Sequence, residues 1–239
     1  YTIQNDFRYD AAGRLVENIQ NTNNQGPVVL ARQSYNEIGQ LVKKKLHSTD
    51  VGSGNAPNPA APFLQSIDYR YNIRGWLTNI NDQDLTNGTS IEGSDAEPVD
   101  ATVEPDLFGM DIKYDRAFHL GSTPQFNGNI AEVMWRTREI SNGAPKTLRG
   151  YSYRYDQLNQ LKEGIYKTYE NNGSGYTWSN ATAMPSRTTD YSVTGSTTDI
   201  LGNNVDGIDY DANGNIRSLY RKGTTSAPTA TTPVVGNLD

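Results

Sequence analysis

The chain has 239 residues, of which 35% are hydrophobic and 20% are charged, with a net charge of -6 and no cysteine. The acidic balance argues against nucleic acid or an anionic membrane surface as a partner, and the lack of cysteine excludes disulfides and thiolate metal or redox sites. Tyrosine, with 15 copies against 5 of phenylalanine, is expected to provide much of the packing. This favours thin sheets with one solvent-exposed face over a deep core.

A seven-residue motif occurs five times along the chain: Tyr, then Asp or Asn, two variable positions, Gly or Asn, one variable position, and Leu or Ile. In chain order the copies contain Tyr9, Asp10, Gly13 and Leu15; Tyr35, Asn36, Gly39 and Leu41; Tyr71, Asn72, Gly75 and Leu77; Tyr155, Asp156, Asn159 and Leu161; and Tyr210, Asp211, Gly214 and Ile216. These are the candidate structural residues. Internal repetition of this kind indicates that the function belongs to an array and not to one site.

Each copy predicts a β-hairpin. Tyr ends the first strand, Asp or Asn bonds the main chain two residues on, Gly or Asn adopts positive φ, and the aliphatic residue begins the return strand. Alternation around Tyr69 and Tyr71, and around Tyr153 and Tyr155, has the period of a strand with one buried face. No segment has a convincing helical period. The predicted fold is therefore all-β, an array of antiparallel β-hairpins in a curved, twisted sheet.

Two further segments resemble the halves of one more copy. Residues 108–115 end in Tyr114 and Asp115 without a turn glycine, whereas residues 126–135 have the turn and the return strand without the tyrosine. We interpret the pair as one repeat opened by an insertion. The predicted organisation is a repeat strip over 1–222, with long insertions near 48–62, 82–106 and 167–205, and a Thr/Pro-rich connector over 223–239.

Residues with catalytic or metal-binding potential form no recognised pattern. His47 and His119 lack nearby ligand partners, so we interpret them as structural, and we interpret Lys43–Lys45 as the solvated guard of an edge strand. No phosphate loop, nucleophile elbow or glycosidase carboxylate pair is indicated. We therefore expect no enzyme activity and no cofactor.

One acidic run leaves a metal site open as an alternative, although it lacks the regular ligand spacing of a calcium loop. The surrounding Gly, Ser and Pro are typical of a surface insertion. The run consists of Glu92, Asp95, Glu97, Asp100, Glu104 and Asp106.

The motif copies resemble the Rhs/YD-repeat family, and residues 63–77, 124–130 and 210–216 are similar to the version common in large surface proteins of Bacteroidota. The resemblance covers nearly the whole chain outside the loops. It implies a long β-strip that coils into a hollow shell, which encloses a C-terminal effector in bacterial polymorphic toxins and insecticidal toxin complexes. In related animal adhesion proteins the strip is a cell-surface scaffold. In these bacteria the resemblance implies export by the type IX system.

The chain departs from the full pattern of that family. It starts at Tyr1 without a signal peptide or long apolar span, and before Asp239 it lacks the conserved core segment, self-cleavage aspartyl motif and toxic domain of complete shells. About twelve strands make a strip roughly 60 Å wide, under half of the ~140 Å needed around a domain of about 100 residues. We expect an internal wall segment.

The expected function is thus a non-catalytic structural segment of a large secreted or cell-surface protein that encloses or displays an effector. Its expected partners are adjacent repeats of that protein, with an enclosed effector and outer-membrane secretion machinery as further candidates. Neither nucleic acid binding nor membrane insertion is expected.

A second function class stays open. Trp76, Trp135 and Trp178, together with the tyrosines, could form a platform for sugars on an exposed sheet face, which would make the segment a surface adhesin binding carbohydrate or protein. In the scaffold interpretation the same aromatic rings pack within the sheet. The burial of the motif tyrosines between neighbouring hairpins discriminates between the two.

Overall fold

The structure is a computed structural model and describes residues 1–52, 58, 61–82, 85, 106–116, 119–139, 147–171, 176–180, 207–219, 221–224 and 235–238. Within these residues the regular elements are β-strands, and there is no helix. The prediction of an all-β fold made of antiparallel hairpins is confirmed. The chain divides into two compact units, Tyr1–Met110 with Thr137–Lys146, and Asp111–Arg136 with Thr147–Asp239.

In the first unit, the strands pair antiparallel in the order of the chain. They are β1 (Ile3–Tyr9), β2 (Leu15–Thr22), β3 (Pro27–Tyr35), β4 (Leu41–Ser48), β5 (Gln65–Tyr71) and β6 (Leu77–Ile80). Three motif copies join β1 to β2, β3 to β4 and β5 to β6, each with a register shift directly before the tyrosine. The next strand, β7 (Phe108–Lys113), contains the boundary between the two units.

The second unit has the same kind of hairpins. Its strands are β8 (Glu132–Thr137), β9 (Arg149–Tyr155), β10 (Leu161–Asn171), β11 (Tyr176–Asn180), β12 (Ile208–Tyr210), β13 (Ile216–Leu219), β14 (Arg221–Thr224) and β15 (Val235–Leu238). Strands β8 to β11 pair in chain order, β12 pairs with β13, and β14 pairs with β15. Motif copies join β9 to β10 and β12 to β13.

The five motif turns share one geometry. In the first, Asp10 Oδ1 accepts hydrogen bonds from the N–H groups of Ala12 and Arg14, both at 2.9 Å, and the Asp10 N–H donates to the Arg14 carbonyl at 2.9 Å. In every other copy the Asp or Asn side chain accepts the same bond from the residue four positions on. The fifth motif residue has φ between 63° and 87° throughout. In the fourth copy this residue is Asn159, with φ of 63°, and in the other four copies it is glycine. Asparagine can replace glycine here because it tolerates positive φ better than most other residues.

The two half-motifs also come together. The Ala131 N–H donates to the Lys113 carbonyl at 2.8 Å, and the Gln125 N–H donates to the Tyr114 carbonyl at 2.7 Å. The strand that ends near Tyr114 and the strand that begins after Ile130 therefore belong to one hairpin, opened by the segment between them.

Each unit has a small cluster of buried apolar side chains, formed partly by a connection between strands. In the first unit it consists of Ile19, Val29, Ala61 and Phe63, with Val51 packed against it. In the second it consists of Leu120, Met134 and Leu148, with Tyr169 packed against it. Connections therefore cover the sheet surface and contribute to the core, which small sheets need in order to bury enough apolar area.

The lysine run Lys43–Lys45 does not guard an edge strand, so that interpretation is wrong. It lies in β4, which pairs with β3 on one side and with β5 on the other. Lys43 Nζ lies 3.4 Å from a carboxylate oxygen of Asp68, and Lys45 Nζ lies 5.9 Å from the centroid of the Phe63 ring. Two of the three ammonium groups of the run therefore have partners on β5 or on the segment directly before it.

Two segments contain strands where the sequence indicated none. β10 extends to Asn171 and pairs with β11 within the expected insertion 167–205, and β15 lies within the expected connector 223–239. Neither strand pair includes a motif copy, so no turn signature marked it. Most of the 82–106 insertion, residues 181–206 and residues 225–234 lie outside the described residues.

Replacing Gly39 or Gly75 by valine is expected to lower the free energy of unfolding by about 1 kcal/mol or more, because a β-branched residue is strained at positive φ. The two glycines have φ of 87° and 80°. Urea unfolding measures the change, and Gly39→Asn is the matched control because asparagine occupies this position in the fourth copy. Equal stability of the valine variants and the unmutated chain would contradict the turn geometry.

Candidate functional site

The hydroxyl of a motif tyrosine connects one hairpin to the one before it. In the first unit Tyr35 Oη donates to the Leu15 carbonyl and Tyr71 Oη donates to the Leu41 carbonyl, both at 3.0 Å. In each pair the acceptor is the aliphatic residue that begins the return strand of the preceding hairpin. We call this hydrogen bond the tyrosine link.

The second unit contains the same tyrosine link twice. Tyr210 Oη donates to the Leu161 carbonyl at 2.8 Å, and Tyr155 Oη donates to the Ile130 carbonyl at 2.9 Å. Ile130 belongs to the opened repeat, so that repeat takes the same place in the array as an intact copy. The link therefore depends on the position of the hairpin and not on a perfect motif.

Burial favours the protonated, donating form of two of the link tyrosines. Burial raises the pKa of the Tyr71 and Tyr155 hydroxyls, because a phenolate is poorly stabilised away from water. Burial also raises the pKa of Tyr153, two residues before Tyr155, to about 12, with a smaller contribution from the Tyr155 hydroxyl. In these two links a neutral hydroxyl therefore donates to a neutral carbonyl, without a charged partner.

A second contact between successive hairpins comes from the variable residue just before the motif aliphatic. Its side chain lies over the glycine of the next copy, where a Cβ would meet it at 3.3 to 3.8 Å. The pairs are Arg14 over Gly39, Gln40 over Gly75 and Gln160 over Gly214. The Arg14 guanidinium also lies 4.8 Å from the centroid of the Tyr35 ring. The motif glycine therefore allows positive φ in its own turn and also leaves room for a side chain of the preceding hairpin.

A buried carboxylate ties the first insertion to the sheet. Glu17 is 0% exposed, and its two carboxylate oxygens lie 2.6 Å from nitrogens of Arg8 and Arg32. The same guanidinium groups donate to the insertion, Arg8 to the Val51 carbonyl at 2.8 Å and Arg32 to the Asn58 carbonyl at 2.5 Å. Because a buried carboxylate requires such partners, Glu17 couples the position of the insertion to three neighbouring strands.

The second unit holds its own connection with a carboxylate at the equivalent place. Glu132 is 0% exposed and accepts hydrogen bonds from the N–H groups of His119, Leu120 and Ser122 at 2.9, 2.8 and 3.1 Å. Glu17 and Glu132 both stand two residues after the aliphatic residue of their copy. Neither glutamate is predicted from the sequence, although their shared distance from the motif aliphatic is a signal for them.

The candidate chemical residues are not brought together. His47 and His119 are both exposed, and the described residues contain no group of three His, Cys, Asp or Glu side chains that could hold a metal ion. Of the acidic run only Asp106 lies within the described residues. Burial, followed by the nearby Asp68 and Asp82 carboxylates, raises the pKa of Asp106 to about 6.

The aromatic side chains pack on one another or on cations. Trp135 stacks on Tyr151 with ring centroids 5.8 Å apart, and Tyr151 stacks on Tyr153 at 5.9 Å. The Tyr166 ring meets Tyr151 edge-on at 5.4 Å. In the other unit the Arg74 guanidinium lies 5.0 Å from the centroid of the Trp76 ring. Trp135 and Trp76 therefore each already use a ring face for contacts within the protein; Trp178 lies in β11, where only the main chain is described.

No protein-family model and no curated protein matches the chain. Among solved structures it is similar to the Photorhabdus luminescens Tc holotoxin pore carrying a TccC3 mutation, with 13% identity and a TM-score of 0.31. It is also similar to the crystal structure of TcdB2-TccC3-TEV, with 13% identity and a TM-score of 0.32. Each match covers 96% of this chain and 11% of the other, so the chain spans about a tenth of the length of those proteins. No helix in the described part of the chain is long and apolar enough to cross a membrane.

Removing one tyrosine hydroxyl in Tyr71→Phe is expected to lower the free energy of unfolding by about 1 kcal/mol, because the Leu41 carbonyl loses its hydrogen bond while the ring keeps its packing. Tyr9→Phe is the matched control, because Tyr9 is 59% exposed and its hydroxyl has no partner within the described residues. Urea unfolding of both variants at low protein concentration checks the difference. Equal losses would mean that the link adds nothing to stability.

Glu17→Ala is expected to lower the free energy of unfolding by about 3 kcal/mol, because it leaves two buried guanidinium groups without their shared carboxylate. Glu163→Ala provides the comparison at the same motif position. Glu163 pairs with Arg154 at 3.0 Å, and the Arg154 side chain is 47% exposed, so water screens this pair and it contributes roughly 0.5 kcal/mol. Chemical unfolding measures both values. A Glu17 variant as stable as the Glu163 variant would show that the insertion is not held by this carboxylate.

Proposed function

We propose that this chain is a non-catalytic structural segment of a large secreted or cell-surface Rhs/YD-repeat protein, where it forms part of a shell wall that encloses or displays an effector. The observation that supports the proposal most directly is the tyrosine link, which recurs between successive hairpins in both units. In each case the link joins a tyrosine hydroxyl to a main-chain carbonyl of the neighbouring hairpin, which is the kind of contact that holds a wall together.

The energetics of hairpins explain why such a link suits a wall. A two-stranded hairpin is marginally stable on its own, and three or more strands with a packed face are needed for independent stability. In an array each unit gains its stability from nearest neighbours. Each further hairpin that joins the array through the same link is therefore stabilised by the hairpin before it. The resemblance of the motifs to Rhs/YD repeats supports an array that is long enough to form a shell.

The adhesin alternative receives no support from the aromatic side chains. A sugar platform needs open ring faces, and the stacking of Trp135 on Tyr151 and of Arg74 on Trp76 uses a face of each tryptophan. The tyrosines of the links have their hydroxyl groups committed to main-chain carbonyls. Packing accounts for these rings without a ligand.

The proposal is tested by comparing this chain with a longer chain that adds several repeats of the natural protein on each side. The longer chain is expected to have the higher melting temperature, because its added hairpins cover the end strands. In parallel, a glycan array probed with the chain is expected to give no binding. Equal melting temperatures would indicate a self-contained domain, and glycan binding that Trp135→Ala abolishes would establish the adhesin function instead.

A further inference from the structure

Arg138 joins parts of the first unit that are distant in the sequence. Its Nε donates to the Asp106 carbonyl at 3.0 Å, its Nη2 donates to the Leu85 carbonyl, and its main-chain N–H donates to the Leu107 carbonyl at 2.8 Å. The residues between Leu85 and Asp106 lie outside the described part of the chain. We call these three hydrogen bonds the Arg138 clamp, because one residue binds the main chain on both sides of that stretch.

The clamp acts on a strained residue. Leu85 has φ of 53° and is 2% exposed. Positive φ is unfavourable for a bulky residue, and such a conformation persists only where the surrounding structure imposes it. Here the Leu85 N–H donates to the Asp82 carbonyl at 3.0 Å, and the Leu85 carbonyl accepts from Arg138. Opening of the clamp therefore releases strain, so the closed form depends on the groups around it.

Three carboxylates lie around the clamp, those of Asp106 itself, of Asp68 in β5 and of Asp82 after β6. Asn81 fixes the main chain that carries them. Its side chain accepts from the Asp68 N–H at 2.7 Å and donates to the Phe108 carbonyl at 2.9 Å, and its own N–H donates to the Asp68 carbonyl at 2.8 Å. The three acidic residues are therefore held near one another by bonds between β5 and the start of β7.

The charges around Asp106 decide when it ionises. Burial and the Asp68 carboxylate raise its pKa to about 6, with a smaller contribution from Asp82, although the Arg138 guanidinium acts in the opposite direction. Lys43 of β4 lies beside Asp68, with 3.4 Å between its Nζ and a carboxylate oxygen. Asp106 therefore changes its charge between mildly acidic and neutral pH, where an ordinary aspartate with a pKa of about 4 stays ionised.

We propose that the Arg138 clamp is a pH-sensitive switch, closed most firmly at mildly acidic pH and opened more readily at neutral pH by the negative charge that Asp106 acquires beside Asp68 and Asp82. The switch is independent of the proposed function, because none of its residues belongs to a motif copy.

The direction of the effect follows from proton binding. The closed clamp keeps the Asp106 carboxyl partly buried and near two other carboxylates, whereas opening exposes it to water. The closed form therefore binds the proton more tightly, and lowering the pH stabilises it. This stabilisation is fully present below the usual aspartate pKa of about 4, and it is lost as the pH rises through the Asp106 pKa of about 6.

Hydrogen exchange of the Leu85 and Arg138 amides in the full chain measures the opening, because both N–H groups are bonded only while this region is closed. The opening constant of the unmutated chain, divided by that of Asp106→Asn at the same pH, is expected to rise about tenfold between about pH 5 and about pH 7.5. Asparagine does not ionise, and comparison at equal pH removes the pH dependence of the exchange chemistry itself.

Asp6→Asn is the matched control, because it removes an exposed carboxylate from the same unit. The ratio of the unmutated chain to this variant is expected to stay constant over the same pH range. Circular dichroism confirms that each variant is folded. A constant ratio for Asp106→Asn, or an equal rise for both variants, would refute the switch.

An NMR titration of the Asp106 carboxyl carbon in the unmutated chain gives a measurement that needs no variant. Its midpoint is expected near pH 6. In Asp68→Asn the midpoint is expected to fall, because a neighbouring negative charge has been removed. A midpoint near the ordinary aspartate value of about 4 in the unmutated chain would overturn the proposal even if Asp106→Asn did not fold, and it would leave the proposed function standing.

Discussion

The hydrogen bond from a tyrosine hydroxyl to the first carbonyl of the preceding return strand is the interaction on which the other hairpin contacts depend. Tyrosine suits this role because its ring provides packing area while its polar tip reaches a main-chain acceptor. The bond from the Tyr71 hydroxyl to the Leu41 carbonyl joins residues 30 positions apart in the sequence, yet both residues occupy fixed positions of the motif. It therefore sets the register of one hairpin on the next, and the side chains of residues such as Gln40 then fall over the following glycine.

Because the motif turns share one geometry, the connections between hairpins vary widely in length. The entropic cost of closing a loop rises slowly with its length, so connections of very different size are compatible with the same hairpins. Two of them are nevertheless held firmly, each by a fully buried glutamate at one motif position. Glu17 binds guanidinium groups and Glu132 binds main-chain N–H groups, so the same carboxylate requirement is satisfied by different partners in each unit.

The polar groups of the motif copies are used within the array. The motif carboxylates and amides are engaged in their turns: hydrogen bonds from the Arg14 main chain and side chain lower the pKa of Asp10, and those from the Asn215 side chain and main chain lower the pKa of Asp211. The link tyrosines donate to carbonyls.

The hairpins are predictable from the motif alone, because each is encoded within seven residues whose interactions are local. The end of β1 at Tyr9, the start of β2 at Leu15 and the positive φ of Asn159 all follow from the motif. The neighbours of each strand, by contrast, are known only from the three-dimensional fold. It placed Lys43–Lys45 inside the sheet, paired β10 with β11 without a motif, and brought Arg32 to Glu17. These outcomes depend on contacts between residues distant in the chain, and no local spacing encodes which strand becomes the neighbour of another.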